Sequence, residues 1–214
     1  MAGSINDFIS SFNKVSPIGV TTGELSRPCN FDVDIAVTQS FIDFLNTQRS
    51  VSPYLRNLYD QFNDTNDLSK MFRLRCEQSE LPPRAFSLIQ QKTYGPLEFY
   101  PVQNIYNKTT MTFICQGNMR EKVFFDLWME LICTTHPDYN YALNNFVRFD
   151  FAYKTKYTTE IKINQKDLEG NDSYTTYLRD AFPVEVFSIP LSWNRQNDYN
   201  RLNVVFAYRY HYNK

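Results

Sequence analysis

Apolar and polar positions alternate with two different periods along this chain, and the switches between them predict its elements. From Cys29 to Val37, residues Phe31, Val33, Ile35 and Val37 share one side while Asp32 and Asp34 take the other, the pattern of a half-buried strand. From 38 to 69 the period lengthens to that of a helix, in two pieces. Ser40–Leu45 forms the first; the second has Ser52 as N-cap, Pro53 at the first helical position, and Leu55, Leu58 and Phe62 on one side. The run NDTND at 63–67 breaks it, and Phe72-Arg-Leu-Arg-Cys-Glu then alternates strictly, predicting a second strand. Leu81-Pro82-Pro83 ends that strand, because two prolines leave gaps in a central ladder.

Further strands are predicted near 97–102 and 109–116. A helix over about 118–134 follows Gly117, with Asn118 as cap and Glu121 in the capping-box position. Its apolar stripe is Phe124, Leu127, Trp128 and Leu131; Lys122, Asp126 and Glu130 lie on another face, and Pro137 closes the segment. Alternation predicts strands at Arg148–Lys154 and Tyr157–Asn164, a polar loop at 165–178, and closing strands near 185–191 and 201–211. The sum is a mainly β (α+β) chain of about eight strands, one central helix and a helical insertion between the first two strands, which are expected to pair as a hairpin. Strands and helices do not alternate regularly, so a parallel doubly wound sheet is disfavoured. An antiparallel β-sandwich or partly closed barrel with one packed α-helix is predicted.

Residues 1–26, with Gly3, Pro17, Gly19 and Gly23 among many Ser and Thr, form an N-terminal arm in which Ile5, Phe8, Ile9 and Phe12 have helical spacing. Residues 27–214 form one domain carrying the insertion 38–69.

Composition narrows the function. Of the 214 residues, 43% are hydrophobic and 21% charged, enough to build a core and too apolar for a disordered chain. Aromatics reach 16%, which favours strands. The net charge of -1 gives no basic excess for a dedicated DNA binder. No apolar run is long enough to span a membrane, and the N-terminus does not read as a secretory signal. The four cysteines, Cys29, Cys76, Cys115 and Cys133, form no CxxC pair and are joined by two histidines only, so neither a metal nor another cofactor is expected. The triplets starting at Asn63, Asn107 and Asn171 read as chance matches to a glycosylation signal. His136 and His211 lie near no nucleophile motif, six glycines leave little room for a phosphate loop, and Asp32/Asp34 and Arg73/Arg75 fit polar strand faces better than a site. No catalytic constellation is present. The ending Phe206-Ala-Tyr-Arg-Tyr-His-Tyr suits a core strand with an interface on its other face better than a platform for stacking bases.

The order of the pieces resembles the tail-tube protein family of contractile-tailed, T-even-like bacteriophages. The matching landmarks are Arg27-Pro28-Cys-Asn-Phe31-Asp-Val-Asp-Ile, Phe72-Arg-Leu-Arg-Cys-Glu-Gln-Ser-Glu-Leu81-Pro82, Met111-Thr-Phe-Ile, Phe124-Phe-Asp-Leu-Trp128, Phe182-Pro183 through Trp193, and the closing Leu202-Asn-Val-Val-Phe-Ala-Tyr-Arg-Tyr. They cover about residues 27–37 and 71–211; the arm, the insertion and an extended stretch near 165–178 are departures. The resemblance implies a structural virion protein, not an enzyme. Six copies would form a ring by continuing their sheets across subunit edges, and rings would stack into the hollow inner tail tube through which phage DNA passes. Implied partners are other copies of itself, the tail sheath protein, the tape-measure protein, and the baseplate and tail-terminator proteins, with assembly in the bacterial host cytoplasm and no membrane insertion. A baseplate tube-initiator or adaptor of the same fold is the alternative within phage tails, and a monomeric β-barrel binding a small ligand the alternative outside them. The insertion is expected to project from one end of the barrel, and its Phe41, Phe44, Leu55, Leu58, Tyr59 and Phe62 carry enough apolar surface to form a subunit interface or a satellite core.

Overall fold

The structure, a computed structural model, describes residues 26–51, 72–92, 94–134, 150–194 and 198–214. The elements are β1 (Phe31–Ile35), α1 (Gln39–Val51), β2 (Cys76–Ser79), β3 (Arg84–Gln91), β4 (Glu98–Tyr106), β5 (Thr109–Ile114), α2 (Arg120–Ile132), β6 (Cys133–Thr134), β7 (Asp150–Phe151), α3 (Lys154–Tyr157), β8 (Thr159–Lys166), β9 (Asp172–Val186), β10 (Arg201–Ala207) and β11 (Tyr210–Asn213). Among the described residues seven strands form one antiparallel sheet, in the order β1-β8-β9-β10-β5-β2, with β11 also beside β9.

Strand β9 is the spine. Its first part pairs with β8 on one side and β11 on the other, and its last part pairs with β10. Between the two parts Asp180 takes a left-handed conformation (φ 52°), which Asp tolerates better than most residues. The sheet therefore divides into two halves that share β9. The β1-β8-β9-β11 half turns Val33, Ile35, Ile161, Ile163 and Leu178 into the core; the β9-β10-β5-β2 half turns in Met111, Phe113, Leu202, Val204 and Phe206. The predicted sandwich or partly closed barrel is thus present, and it stays open: β1 and β2, the two ends of the strand order, share no ladder.

Helix α2 fills the space between the halves. Phe124, Leu127 and Trp128 are buried as its stripe requires, Leu131 is partly buried, and Phe125 is fully buried as well. The Trp128 indole donates to the Tyr157 carbonyl at 2.9 Å. Glu121 does not close a capping box. The N-cap is Met119, in a left-handed conformation (φ 54°), and the Glu121 carboxylate instead accepts from the Gln116 N–H (3.0 Å) and from Arg75, with no exposure of its own. Lys122 and Asp126 pair on the solvent side, one turn apart.

Five expectations are corrected. The first two strands do not pair: β1 lies against β8 and β2 against β5. Residues 72–75 are helical, so strand β2 starts only at Cys76; this buries Phe72 completely and leaves Leu74 84% exposed, whereas strict alternation would have buried both. The polar stretch 165–178 is mostly strand, in β8 and β9, with a turn at 167–170. The described part of the insertion does not project. Phe41 and Leu45 are buried in the main core, Phe44 packs against it, and the Phe41 ring lies 5.0 Å from that of Phe124. The stretch read as the strand Arg148–Lys154 holds only the two-residue β7 among its described residues, followed by α3. Residues 1–25 and the second helical piece of the insertion lie outside the described residues.

Candidate assembly surfaces

Among the described residues, strands β3 and β4 pair only with each other. Their register nevertheless continues that of β2 and β5: Ser79 faces Met111, five residues later Arg84 faces Tyr106, and the count on the two strands is equal. Leu81-Pro82-Pro83 interrupts the ladder, and across this break the Thr109 hydroxyl donates to the Glu80 carbonyl at 3.1 Å. One long hairpin results. Its base belongs to the sheet, and its outer part stands off the body as a ribbon on the order of 25 Å long, from the rise of a strand over eight residues. Near the tip, Gly95 has φ 102°, a conformation that glycine adopts without strain.

Both faces of the ribbon carry large apolar side chains exposed to water. Phe86, Leu88 and Phe99 lie on one face; Ile89, Tyr100 and Ile105 lie on the other, by the pairing register. All six are between 40% and 57% exposed. A two-stranded ribbon is marginal by itself, and monomeric proteins rarely leave so much contiguous apolar surface uncovered. Strand β3 is absent from the strands that the sequence predicts. Arg84-Ala-Phe-Ser-Leu-Ile-Gln-Gln shows no period of two because neither side faces the subunit's own core. The usable signal was a run of apolar residues following two prolines.

The gap between β1 and β2 is bridged by side chains. Asp32 is buried and accepts from Arg73 Nε at 2.9 Å, Arg73 Nη2 at 2.7 Å and the Asn164 amide, with Lys166 Nζ at 3.2 Å. Asp34 stands 3.7 Å from Arg73. Burial acts to raise the Asp32 pKa, but the hydrogen bonds from Asn164, Arg73 and Lys166 outweigh it and hold the carboxyl below its ordinary 3.8. A carboxyl whose folded pKa is depressed contributes stability that is complete above the unfolded value and is lost as pH falls through the folded one. The resistance of the wild type to urea should therefore fall as pH drops from about 4 downward. Asp32→Asn should be less stable at neutral pH, with a flatter acid limb. Parallel pH profiles for the two proteins would remove this role for the network.

The outer faces of the two half-sheets differ in chemistry. On the β1-β8-β9-β11 half, Lys162, Lys166 and Arg179 alternate with Asp34, Glu160 and Asp172, and Tyr177 stacks on Tyr212 at 5.0 Å. On the β9-β10-β5-β2 half, the outward rows run Gln78–Thr112–Asn203 and Thr110–Val205–Glu185. Thr112 donates to the Asn203 side chain at 2.9 Å. The cation at the end of this face, Arg201, is held by Glu77 at 2.7 Å and Asp198 at 3.3 Å, and lies over the Tyr199 ring.

Of the residues suggested as an interface, Phe41 is buried and Phe44 partly buried within the subunit, while Leu55, Leu58, Tyr59 and Phe62 lie outside the described residues. His211 is buried beside Tyr106 and Tyr208, and His136 lies outside the described residues. All four cysteines are free; burial pushes the Cys76 thiol up to about 12, which keeps it protonated and unreactive. Among the described residues no cluster of His, Cys, Asp and Glu could hold a metal ion, and no helix is long and apolar enough to cross a membrane.

Solved structures of contractile injection systems share this fold. A chain of the PVC extracellular contractile injection system's sheath–tube complex in the extended state matches over 94% of this chain and 99% of its own, with a TM-score of 0.54 and 11% identity. The PVC sheath/tube terminator matches over 89% and 98%, with a TM-score of 0.52 and 12% identity. The tube-terminating cap of the anti-feeding prophage matches over 89% and 91%, with a TM-score of 0.52 and 10% identity. The fold is thus shared with chains of these sheath–tube, terminator and cap assemblies. A family model for phage tail tube proteins matches residues 26–214, and the chain belongs to that family as a structural tail-tube protein. No curated protein matches the sequence.

Proposed function

We propose that six copies of this protein close into a ring and that the rings stack into the hollow inner tail tube through which phage DNA passes. The observation that carries this reading is the exposed ribbon. A hairpin with exposed apolar side chains on both faces and, among the described residues, no strand along either edge needs other polypeptide to cover it, and in a tail-tube protein that polypeptide is another copy of the same chain. The sheath protein outside, the baseplate and terminator proteins at the ends and the tape-measure protein within are the further partners, with assembly in the host cytoplasm. No catalytic step belongs to this reading.

Electron microscopy of the purified protein tests it. Long hollow tubes of six-fold symmetry are expected as concentration rises. Single rings that never stack would instead favour a baseplate initiator. A subunit that stays monomeric at high concentration in size-exclusion chromatography would overturn the proposal.

A further inference from the structure

We propose that Tyr106, Tyr208 and His211 form an acid-sensitive joint, which fixes the ribbon's angle to the body while His211 is neutral and frees it once His211 takes up a proton. The proline break makes such a joint necessary. Among the described residues no ladder joins ribbon to sheet between the Ser79–Met111 and Arg84–Tyr106 pairs, so the ribbon's direction depends on the side chains packed at its root. Tyr106, the last residue of β4, supplies that packing. Its ring meets His211 edge to face at 5.4 Å and Tyr208 at 6.3 Å, and Tyr208 lies 5.9 Å from His211. Tyr208 stands at the corner where the chain leaves β10, in one half-sheet, and enters β11, in the other; His211 belongs to β11. The three rings thus tie the ribbon to both halves of the sheet.

The cluster is poorly suited to hold a charge. His211 is 7% exposed and Tyr208 9%, and among the described residues the His211 Nδ1 and the Tyr208 hydroxyl are buried without a hydrogen-bond partner. A buried polar group left unpaired costs free energy that water returns on opening, so closure is opposed before any proton binds. The described groups that face His211 offer an imidazolium no counter-ion. Tyr106 from β4 and Tyr208 from the corner stay neutral near pH 7, Leu178 is the register neighbour on β9, and the charged group acting on the imidazole is Arg84 from β3, itself a cation. Burial first, and Arg84 second, hold the His211 pKa below its ordinary 6.5. A base whose pKa is lower in the docked state gives docking its full strength above the released value, and docking weakens as pH falls below that value. The Asp32 carboxyl, which titrates below 3.8, keeps its charge over the same interval. Under the tube reading, a ribbon without a fixed angle no longer presents its apolar faces squarely to a neighbouring copy.

Single-molecule energy transfer on the full chain tests the joint. One dye is carried by a non-natural residue at position 94, near the ribbon's tip, where Tyr94 is 97% exposed. The other is carried at position 169, in the exposed turn between β8 and β9. At picomolar concentration subunits do not meet, so the result stands apart from whether the protein forms tubes. Between about pH 7.5 and about pH 5 the share of wild-type molecules with a released ribbon, read as a second and broader efficiency peak, should rise about tenfold and return on neutralisation. His211→Phe keeps a ring and His211→Gln a polar group, and both remove the charge; in neither should the distribution change with pH. The second variant serves where the first disturbs folding. A wild-type distribution that does not move in acid overturns the inference. So does an acid step of the same size in both variants.

Discussion

Leu88→Asp combined with Phe99→Asp is expected to yield a folded subunit that no longer forms tubes. Both residues lie on one face of the ribbon, are 56% and 55% exposed, and face nothing in their own subunit's core. Changing them should therefore alter subunit stability by no more than about 0.5 kcal/mol, the usual range for exposed sites. In the assembly each apolar side chain covered by a neighbour is worth ~1.5–3 kcal/mol, so two losses, each replaced by a buried charge, remove at least ~3 kcal/mol from every contact. That corresponds to a weakening of roughly a hundredfold or more per contact. Sedimentation velocity and electron microscopy should show monomers with an unchanged circular dichroism spectrum and melting temperature. The same pair of aspartates at Ile89 and Ile105 tests the opposite face. Loss of assembly from both sets would mean that the ribbon is covered on both sides. Normal tubes from both sets would leave the ribbon without an assembly role.

The largest effect on the subunit itself is expected from Phe125→Ala, at about 3–5 kcal/mol. Phe125 is fully buried, and its ring lies 5.1 Å from Phe113, 5.3 Å from Phe72, 5.4 Å from Phe124 and 5.9 Å from Phe206, with Trp128 stacked at 6.4 Å. These neighbours come from α2, β5, β10 and the helical turn before β2, so the cavity has rigid walls on every side and little freedom to collapse. A loss of that size approaches the whole stability of a typical domain, and the variant should be largely insoluble or molten at 37 °C. Chemical denaturation showing a change under 1 kcal/mol would mean that the site repacks and that the aromatic cluster is not the anchor of the sheet halves.

Where one face of an element meets the subunit's own core, the fold was legible in the sequence. Leu202, Val204 and Phe206 alternate because β10 has an inside and an outside, and Phe124, Leu127 and Trp128 recur at helical spacing because α2 packs along one stripe. Legibility failed where that contrast disappears. The ribbon strands have no inside in a lone subunit, so their apolar residues follow no period. In β9, Thr175 and Thr176 are buried, Thr175 donates to Asn164 and Thr176 to Asn213, and this buried polar pairing looked like a loop. Glu121 occupied the capping-box position by count but serves as the buried partner of Arg75, a role that spacing along one helix does not encode. The candidate site suffered most: the insertion's aromatics drew attention by their number, yet Phe41 joins the subunit core while the exposed apolar surface belongs to β3 and β4.

The shared register of ribbon and sheet has a mechanical side. In an antiparallel ladder the hydrogen bonds run perpendicular to the strands. A pull on the ribbon along its length draws β2 and β5 together and therefore loads the β5–β10 ladder in shear, so that many bonds must give way together. A pull across the strands would open the same bonds one after another. Because the hairpin carries its register through the proline break, tension arriving from a neighbouring copy enters the sheet in the direction in which it resists best.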